Sequence, residues 1–208
     1  MTEERRGWFV HNLANFVTVL GLLTSLWFLV VGINYPDMLW LVLLLGIITG
    51  LSDFADGKIA RYLNIRTSLG VVLDTVRDKI FICSAIGVLF WQYWPSNQNF
   101  IITTFTETLC ISVILLEISL FSVRVYGLYR KKDVTAGQNG KIKMFGEFFA
   151  VAFWLISLTI DKYCVKGSID YVIYVVDFIL LASFYFGVKG FSIYCREYSQ
   201  VQQEISNK

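Results

Sequence analysis

Apolar residues along this chain fall into six long runs separated by short polar breaks. The runs cover residues 15–33, 38–63, 68–94, 99–129, 142–160 and 171–194. Each comes close to the ~20 residues that the hydrocarbon core of a bilayer requires. None alternates apolar and polar positions as barrel strands do, so helices are the way to satisfy the backbone polar groups in lipid. The break Asn34-Tyr35-Pro36-Asp37 stops the first run at a proline. The second run has no stop signal through Leu51 and is expected to continue as helix past the membrane surface to about Leu63. Pro95-Ser96-Asn97 follows the third run, a polar stretch from Arg130 to Gly140 follows the fourth, and residues 161–170 follow the fifth. Ahead of the first run, residues 1–14 combine Glu3, Glu4, Arg5 and Arg6 with Trp8, Phe9, Val10 and Leu13, the pattern of a short helix lying in the interface. A signal peptide fits less well, because the apolar run is too long for an h-region and no small-x-small site ends it. The expected fold is an all-α integral membrane bundle of six transmembrane helices with an N-terminal interfacial amphipathic helix, in one domain over residues 1–208.

Composition strengthens this picture. Hydrophobic residues make up 56% of the 208 positions, and the mean hydropathy is +0.59, too apolar for a soluble domain of this size. A net charge of +2 argues against nucleic acid as a partner, which wants a basic patch on a soluble face. The cysteines (Cys83, Cys110, Cys164, Cys195) form no C-x-x-C pair and imply no disulfide framework. Charge also orients the chain. Breaks 34–37 and 95–98 contain no Lys or Arg, and break 161–170 has only Lys162 and Lys166. The remaining basic residues lie in the tails, in segments 58–79 and 124–143, or near the end of the last run. The positive-inside rule then places both termini and residues 53–79 on the cytoplasmic side, as expected for a bacterial cell membrane.

The candidate chemistry is concentrated between Asp53 and Lys79. Four aspartates, Asp53, Asp56, Asp74 and Asp78, stand here at the ends of apolar runs. Ionised side chains at membrane depth cost roughly 2.5–3.5 kcal/mol each at a helix centre, so the cluster needs a functional reason. On a helix, Asp53, Asp56, Gly57, Ala60 and Arg61 are spaced i, i+3, i+4, i+7, i+8 and share one face. Two carboxylates suit a hard divalent cation such as Mg2+ or Mn2+, two nearly side-chain-free residues leave room for a ring or sugar, and a guanidinium can fork onto a phosphate. Gly70, Asp74 and Asp78 repeat the logic at i, i+4, i+8, with Gly70 allowing close helix approach. Two carboxylate pairs on facing helices could hold two metal ions, an arrangement suited to phosphoryl transfer. No His or Cys cluster accompanies them, which argues against zinc. An ion pathway in a divalent-cation transporter is the rival from another class, although transport needs neither the Gly57, Ala60, Arg61 set nor a site at helix ends.

These residues resemble a known signature. Asp53-x2-Asp56-Gly57-x2-Ala60-Arg61-x8-Gly70-x3-Asp74-x3-Asp78 is similar to that of the CDP-alcohol phosphotransferases, with every defining position filled. Asn12-Leu13-Ala14-Asn15-Phe16-Val17-Thr18 resembles the Asn-x2-Thr element ahead of the first span in that family. The resemblance implies that a CDP-alcohol such as CDP-diacylglycerol is the donor and that an acceptor hydroxyl displaces CMP. It implies Asp53, Asp56 and Asp74 as metal ligands, with Asp78 as general base that also touches a metal. It further implies Gly57, Ala60, Arg61, Asn15, Thr18 and Gly70 as the CDP-binding set, and a homodimer.

The acceptor is less sharply marked. Arg124 and the run Gly140-Lys141-Ile142-Lys143 resemble elements of the phosphatidylglycerophosphate synthase branch. Arg124, Lys141 and Lys143 could bind an anionic acceptor such as glycerol 3-phosphate; they also suit positive-inside topology and lipid headgroups. The chain departs from that branch at Gly21, where Arg is frequent, at Thr75-Val76-Arg77, where Pro-x-Ala is common, and at Met144, where Thr is frequent. Inositol, inositol phosphate and phosphatidylglycerol therefore stay open as acceptors. Glu107, Glu117 and Asp177 lie inside apolar runs, either in a polar network or dimer contact or near the outer surface. Glu147 stands one turn past Lys143 and is placed to pair with it. His11, the single histidine, has a structural reading at the interface.

Overall fold

The computed structural model describes the backbone of residues 3–62, 68–93, 100–129, 137–167 and 169–206, and the side chains of 19–52, 75–92, 100–127, 137–167 and 169–196. It is helical nearly throughout: α1 (Glu3–Asn34), α2 (Leu39–Tyr62), α3 (Ser68–Tyr93), α4 (Phe100–Tyr129), α5 (Gln138–Tyr163) and α6 (Ile169–Ser206). The apolar runs and the helices thus coincide in number and order among the described residues. Two differences stand out. The expected interfacial helix and first span form one unbroken α1, because no proline interrupts residues 3–34. At 1.5 Å per residue its length is about 48 Å, well beyond a bilayer core of about 30 Å. The side chains of residues 1–14 lie outside the described residues, as does the Pro95-Ser96-Asn97 break. The second difference is that α6 continues through the polar tail.

The molecule is a largely helical, apolar, membrane-associated protein. Phe100–Gly127, Gln138–Tyr163 and Ile169–Arg196 are long and apolar enough to cross a membrane, while Val19–Asn34 and Leu39–Ser52 are apolar but shorter. The expectation of six spans is therefore met by length and composition for three helices among the described residues. The described part of α3 is interrupted by Arg77-Asp78-Lys79, three consecutive charges that break its apolar run.

The core is a continuous cluster drawn from every helix. Phe28 and Val31 of α1 meet Val42 of α2 and Phe81, Ala85, Ile86 and Leu89 of α3. Val113 of α4, Trp154 of α5 and Ile173 and Leu180 of α6 close the other half. Phe28 and Phe81 pack edge to face with ring centroids 5.6 Å apart. Outward faces carry Trp27, Trp40, Phe100, Tyr171 and Phe178, all exposed, an apolar exterior that suits lipid rather than water. Glycines let helices approach closely: a Cβ at Gly187 of α6 would come within 3.0 Å of Lys143 Cδ, so this small residue makes room for the lysine stem.

One end of the bundle is clamped by polar contacts. Lys162 Nζ donates to Pro36 O and Asp37 Oδ1, each at 2.8 Å, and the Tyr163 hydroxyl donates to Asp37 O at 2.6 Å. Asp161 Oδ1 accepts from the backbone N–H of Gly167 at 2.7 Å and of Ile169 at 3.3 Å, capping the start of α6. Gly167 takes φ +89°, a left-handed conformation that favours glycine. The Lys162 ammonium, bonded to the Asp37 carboxylate, holds that carboxyl below its ordinary value. A depressed folded-state value means that the pair contributes fully above the ordinary carboxylate range and is lost as pH falls through the lowered value. Asp37→Asn should therefore lower the melting temperature slightly at about pH 7 and by less at about pH 3. An equal deficit at both pH values would show that the charge pair is not the cause.

Candidate functional site

At the end of the bundle opposite this clamp, α2 and α3 are helical through residues 53–61 and 68–79. The backbone thus keeps the spacing that puts Asp53, Asp56, Gly57, Ala60 and Arg61 on one face of α2 and Gly70, Asp74 and Asp78 on one face of α3. Of these side chains only Asp78 is among the described ones. Those of Asp53, Asp56, Gly57, Ala60, Arg61, Gly70, Asp74, Asn15 and Thr18 lie outside the described residues.

Asp78 is half-buried and borders a cavity of about 60 Å³ enclosed by α2, α3, α4 and α5. Thr49, Arg77, Lys79, Glu117 and Glu147 bring its polar lining, and Phe81, Ile82 and Phe148 its apolar wall. That space has room for waters or one small polar group. Below it, a wholly apolar groove of about 250 Å³ continues between α2 and α5 past Phe81 and Phe148 to Leu155.

A buried charge network floors the cavity. Glu117 of α4 pairs through one carboxylate oxygen with Lys79 of α3 and through the other with Lys143 of α5. Lys143 also reaches Glu147 Oε2 at 3.0 Å, the i, i+4 pair expected from the sequence. Lys143, Glu117 and Glu147 are each buried. Among the described residues the second oxygen of Glu147 accepts no hydrogen bond. Beside the network, Arg77 Nη2 lies 3.6 Å from Asp78 Oδ1, and Arg124 Nη1 donates to Thr75 Oγ1 at 3.3 Å.

The candidate acceptor cations consequently occupy different settings. Lys141 is exposed, Arg124 is half-buried beside α3, and Lys143 is held between two carboxylates. Glu117 and Asp177 both face the bundle interior, and Thr106 Oγ1 donates to Asp177 Oδ2 at 2.9 Å, joining α4 to α6. Sequence reasoning gave Arg77 and Lys79 no role in the site. The available signal was three consecutive charges in a membrane helix, each of which needs a partner.

Among the described residues no three His, Cys, Asp or Glu side chains gather to hold a metal. The donor chemistry nevertheless fits a hard divalent cation. The aspartate positions of α2 and α3 offer oxygen donors only, and the described one, Asp78, stands at the rim of a cavity that other charged side chains also line.

Fold and site together define an apolar, membrane-associated helical bundle with a carboxylate-bearing cavity among four of its helices. The profile of the CDP-alcohol phosphatidyltransferase family matches residues 11–186, and the chain belongs to that phosphotransferase family. The chain is 28% identical over 193 residues to the CDP-diacylglycerol--glycerol-3-phosphate 3-phosphatidyltransferase of Rickettsia bellii, covering 90% of this chain and 97% of that protein. It is also 28% identical over 192 residues to the Rickettsia felis protein of the same name, with 90% and 97% covered. A shorter match, 42% over 53 residues, links it to a cardiolipin synthase (CMP-forming) of Streptomyces coelicolor, covering 26% of this chain and 24% of that protein. The family at large pairs this fold with divalent-metal-dependent transfer from CDP-alcohol donors.

Proposed function

We propose that this chain transfers a phosphatidyl group from CDP-diacylglycerol to the hydroxyl of glycerol 3-phosphate, giving phosphatidylglycerophosphate and CMP. The observation that carries the reading is a family match across most of the chain, with the aspartate signature complete and its last member, Asp78, beside a cavity. Glycerol 3-phosphate as acceptor is supported by the names of the two Rickettsia relatives.

In this reading Asp53, Asp56 and Asp74 hold two Mg2+ or Mn2+ ions, with Asp78 touching them as well. Bound divalent ions supply charge neutralisation to the donor diphosphate and to the departing CMP. Gly57, Ala60, Arg61, Gly70, Asn15 and Thr18 seat the CDP part. Asp78 takes the proton of the acceptor hydroxyl; the new O–P bond forms at the lipid-side phosphorus as the bond to CMP breaks. Arg124, Lys141 and Lys143 bias the site toward an anionic acceptor, with Lys143 acting from within its carboxylate pairs. The six helices span the membrane with the site and both termini in the cytoplasm, and two copies form a homodimer.

A panel of acceptors tests the assignment. Purified protein with CDP-diacylglycerol and Mg2+ or Mn2+ should release CMP fastest with glycerol 3-phosphate. Release only with phosphatidylglycerol would transfer the assignment to cardiolipin synthesis, as the Streptomyces match would have it. Metal flux into liposomes without CMP release from any acceptor would favour the transporter reading. Chelation by EDTA should stop CMP release and added Mg2+ or Mn2+ should restore it; full activity in EDTA would remove the metals from the scheme.

A further inference from the structure

The charges of the network around the Asp78 cavity answer one another. Arg77 stands against Asp78, Lys79 against Glu117, and Lys143 against both Glu117 and Glu147. Three cations thus face three carboxylates, and the network holds no surplus charge of either sign to draw in an ion. What it leaves over is hydrogen-bond acceptance. Glu117 engages both of its oxygens with ammonium groups. Glu147 gives Oε2 to Lys143 at 3.0 Å, while its Oε1 accepts no hydrogen bond among the described residues. Glu147 is 1% exposed, yet it lines the same cavity as Asp78. A carboxylate oxygen unpaired at such depth costs free energy until a donor reaches it. The carboxylate is also held in place. Its partner Lys143 is gripped by Glu117 of α4, and the lysine stem lies in the space left by Gly187 of α6.

A hydroxyl supplies a donor without bringing charge, and the cavity has room for one small polar group. In the proposed reaction Asp78 takes the proton of one acceptor hydroxyl at this cavity. A second hydroxyl on the adjacent carbon then arrives in the same space. We propose that Glu147 Oε1 accepts a hydrogen bond from that second hydroxyl, so that the site selects acceptors carrying two hydroxyls on neighbouring carbons. A glycerol esterified to phosphate presents this pair, whether as soluble glycerol 3-phosphate or as the headgroup of phosphatidylglycerol. The inference rests on the phosphatidyl-transfer reading and assigns Glu147 as a residue that determines its acceptor specificity. A buried oxygen built to meet a hydroxyl also rejects the analogue that lacks one, because the oxygen is then left unpaired.

Deleting the hydroxyl and the carboxylate, separately and together, tests this. CMP release by the full-length chain is measured with CDP-diacylglycerol and Mg2+. The acceptors are glycerol 3-phosphate and 3-hydroxypropyl phosphate, which lacks only the middle hydroxyl. Phosphatidylglycerol and its 1,3-propanediol counterpart form a second pair, and the pair used with the higher kcat/KM tells a soluble diol from a lipid-borne one. Within that pair, wild type should prefer the diol about tenfold to a hundredfold in kcat/KM, the fold-change for a hydrogen bond to a charged group. In Glu147→Ala the preference should shrink to near parity. Lys143 keeps Glu117 in this variant, so its ammonium is not left without a carboxylate. A residue that merely holds α5 in place slows both acceptors alike and leaves the preference unchanged. If Glu147→Ala does not fold, Glu147→Gln replaces it; its neutral amide oxygen accepts a weaker bond, and the preference should fall severalfold. Equal use of the two acceptors by wild type, or an unchanged preference in a folded variant, overturns the assignment of Glu147 and leaves phosphatidyl transfer standing. A wild-type chain that releases no CMP with any acceptor overturns the reaction itself, and the assignment of Glu147 falls with it.

Discussion

Asp78→Asn is expected to lower CMP release about a hundred- to ten-thousandfold, the range that a positioned general base contributes. The amide keeps the size of the carboxylate and leaves the helix unaltered, but it cannot accept the hydroxyl proton. Asp78 is the described member of the four-aspartate set, half-buried at the rim of a cavity and within ion-pair reach of Arg77. Because the neutral amide removes the charge facing a buried guanidinium, a modest loss of thermal stability should accompany the loss of turnover. CDP-lipid binding should survive largely intact, since the nucleotide contacts are assigned to other residues of α1, α2 and α3. Binding and turnover are therefore to be measured on the same preparation. Retained turnover would remove Asp78 from the proton-transfer step. Recovery of the variant at high Mg2+ or Mn2+ would instead mark Asp78 as chiefly a metal ligand, because extra cation can compensate a weakened ligand but not a missing base.

What the sequence disclosed about this site, and what it withheld, follows from the range of the interactions. The i, i+3, i+4 placement of the aspartates is local, and a helix fixes it wherever the helix packs. The Lys143–Glu147 pair is local for the same reason and was legible in advance. Glu117 was not, because its partners Lys79 and Lys143 come from two other helices, and periodicity carries no information about the rotation of one helix against another. The same limit hid the meeting of Gly21 with Arg77, residues of α1 and α3 that read in sequence as two unrelated oddities. Length was misread where the breaker was missing. A change from charged to apolar composition after residue 14 suggested two elements, yet with no proline to stop it the backbone stays helical from Glu3 to Asn34. Charge counting had a comparable effect on α3, where Arg77-Asp78-Lys79 interrupts an apolar run whose remaining inward positions, Phe81 to Leu89, are core.

Glu117→Ala should cost about 3–5 kcal/mol, the penalty for removing one partner of a buried ion pair and leaving charge behind. Glu117 is buried in α4, and its two carboxylate oxygens hold ammonium groups from α3 and α5. Without it, Lys79 loses its ion-pair partner among the described residues, and Lys143 retains Glu147 at 3.0 Å. At about 2–4 °C per kcal/mol for a chain of this size, the melting temperature in detergent should fall by roughly 10 °C. A variant that melts within a degree or two of wild type would mean that the network contributes little. Function should fall with stability, because Lys79 directly follows Asp78 and its tether to α4 fixes the rotation of α3. The pair can be separated from its charge by a double-mutant cycle with Lys79→Met. Glu117→Met/Lys79→Met removes one carboxylate together with one ammonium and returns Lys143 to a single, neutralising partnership with Glu147. It should therefore melt closer to wild type than Glu117→Ala, since replacing a buried ion pair by apolar groups of similar volume is often neutral. If activity recovers along with stability, the network acts by holding helices together. If stability returns and activity does not, the Lys79–Glu117 contact is a positioning device that aims Asp78 into its cavity.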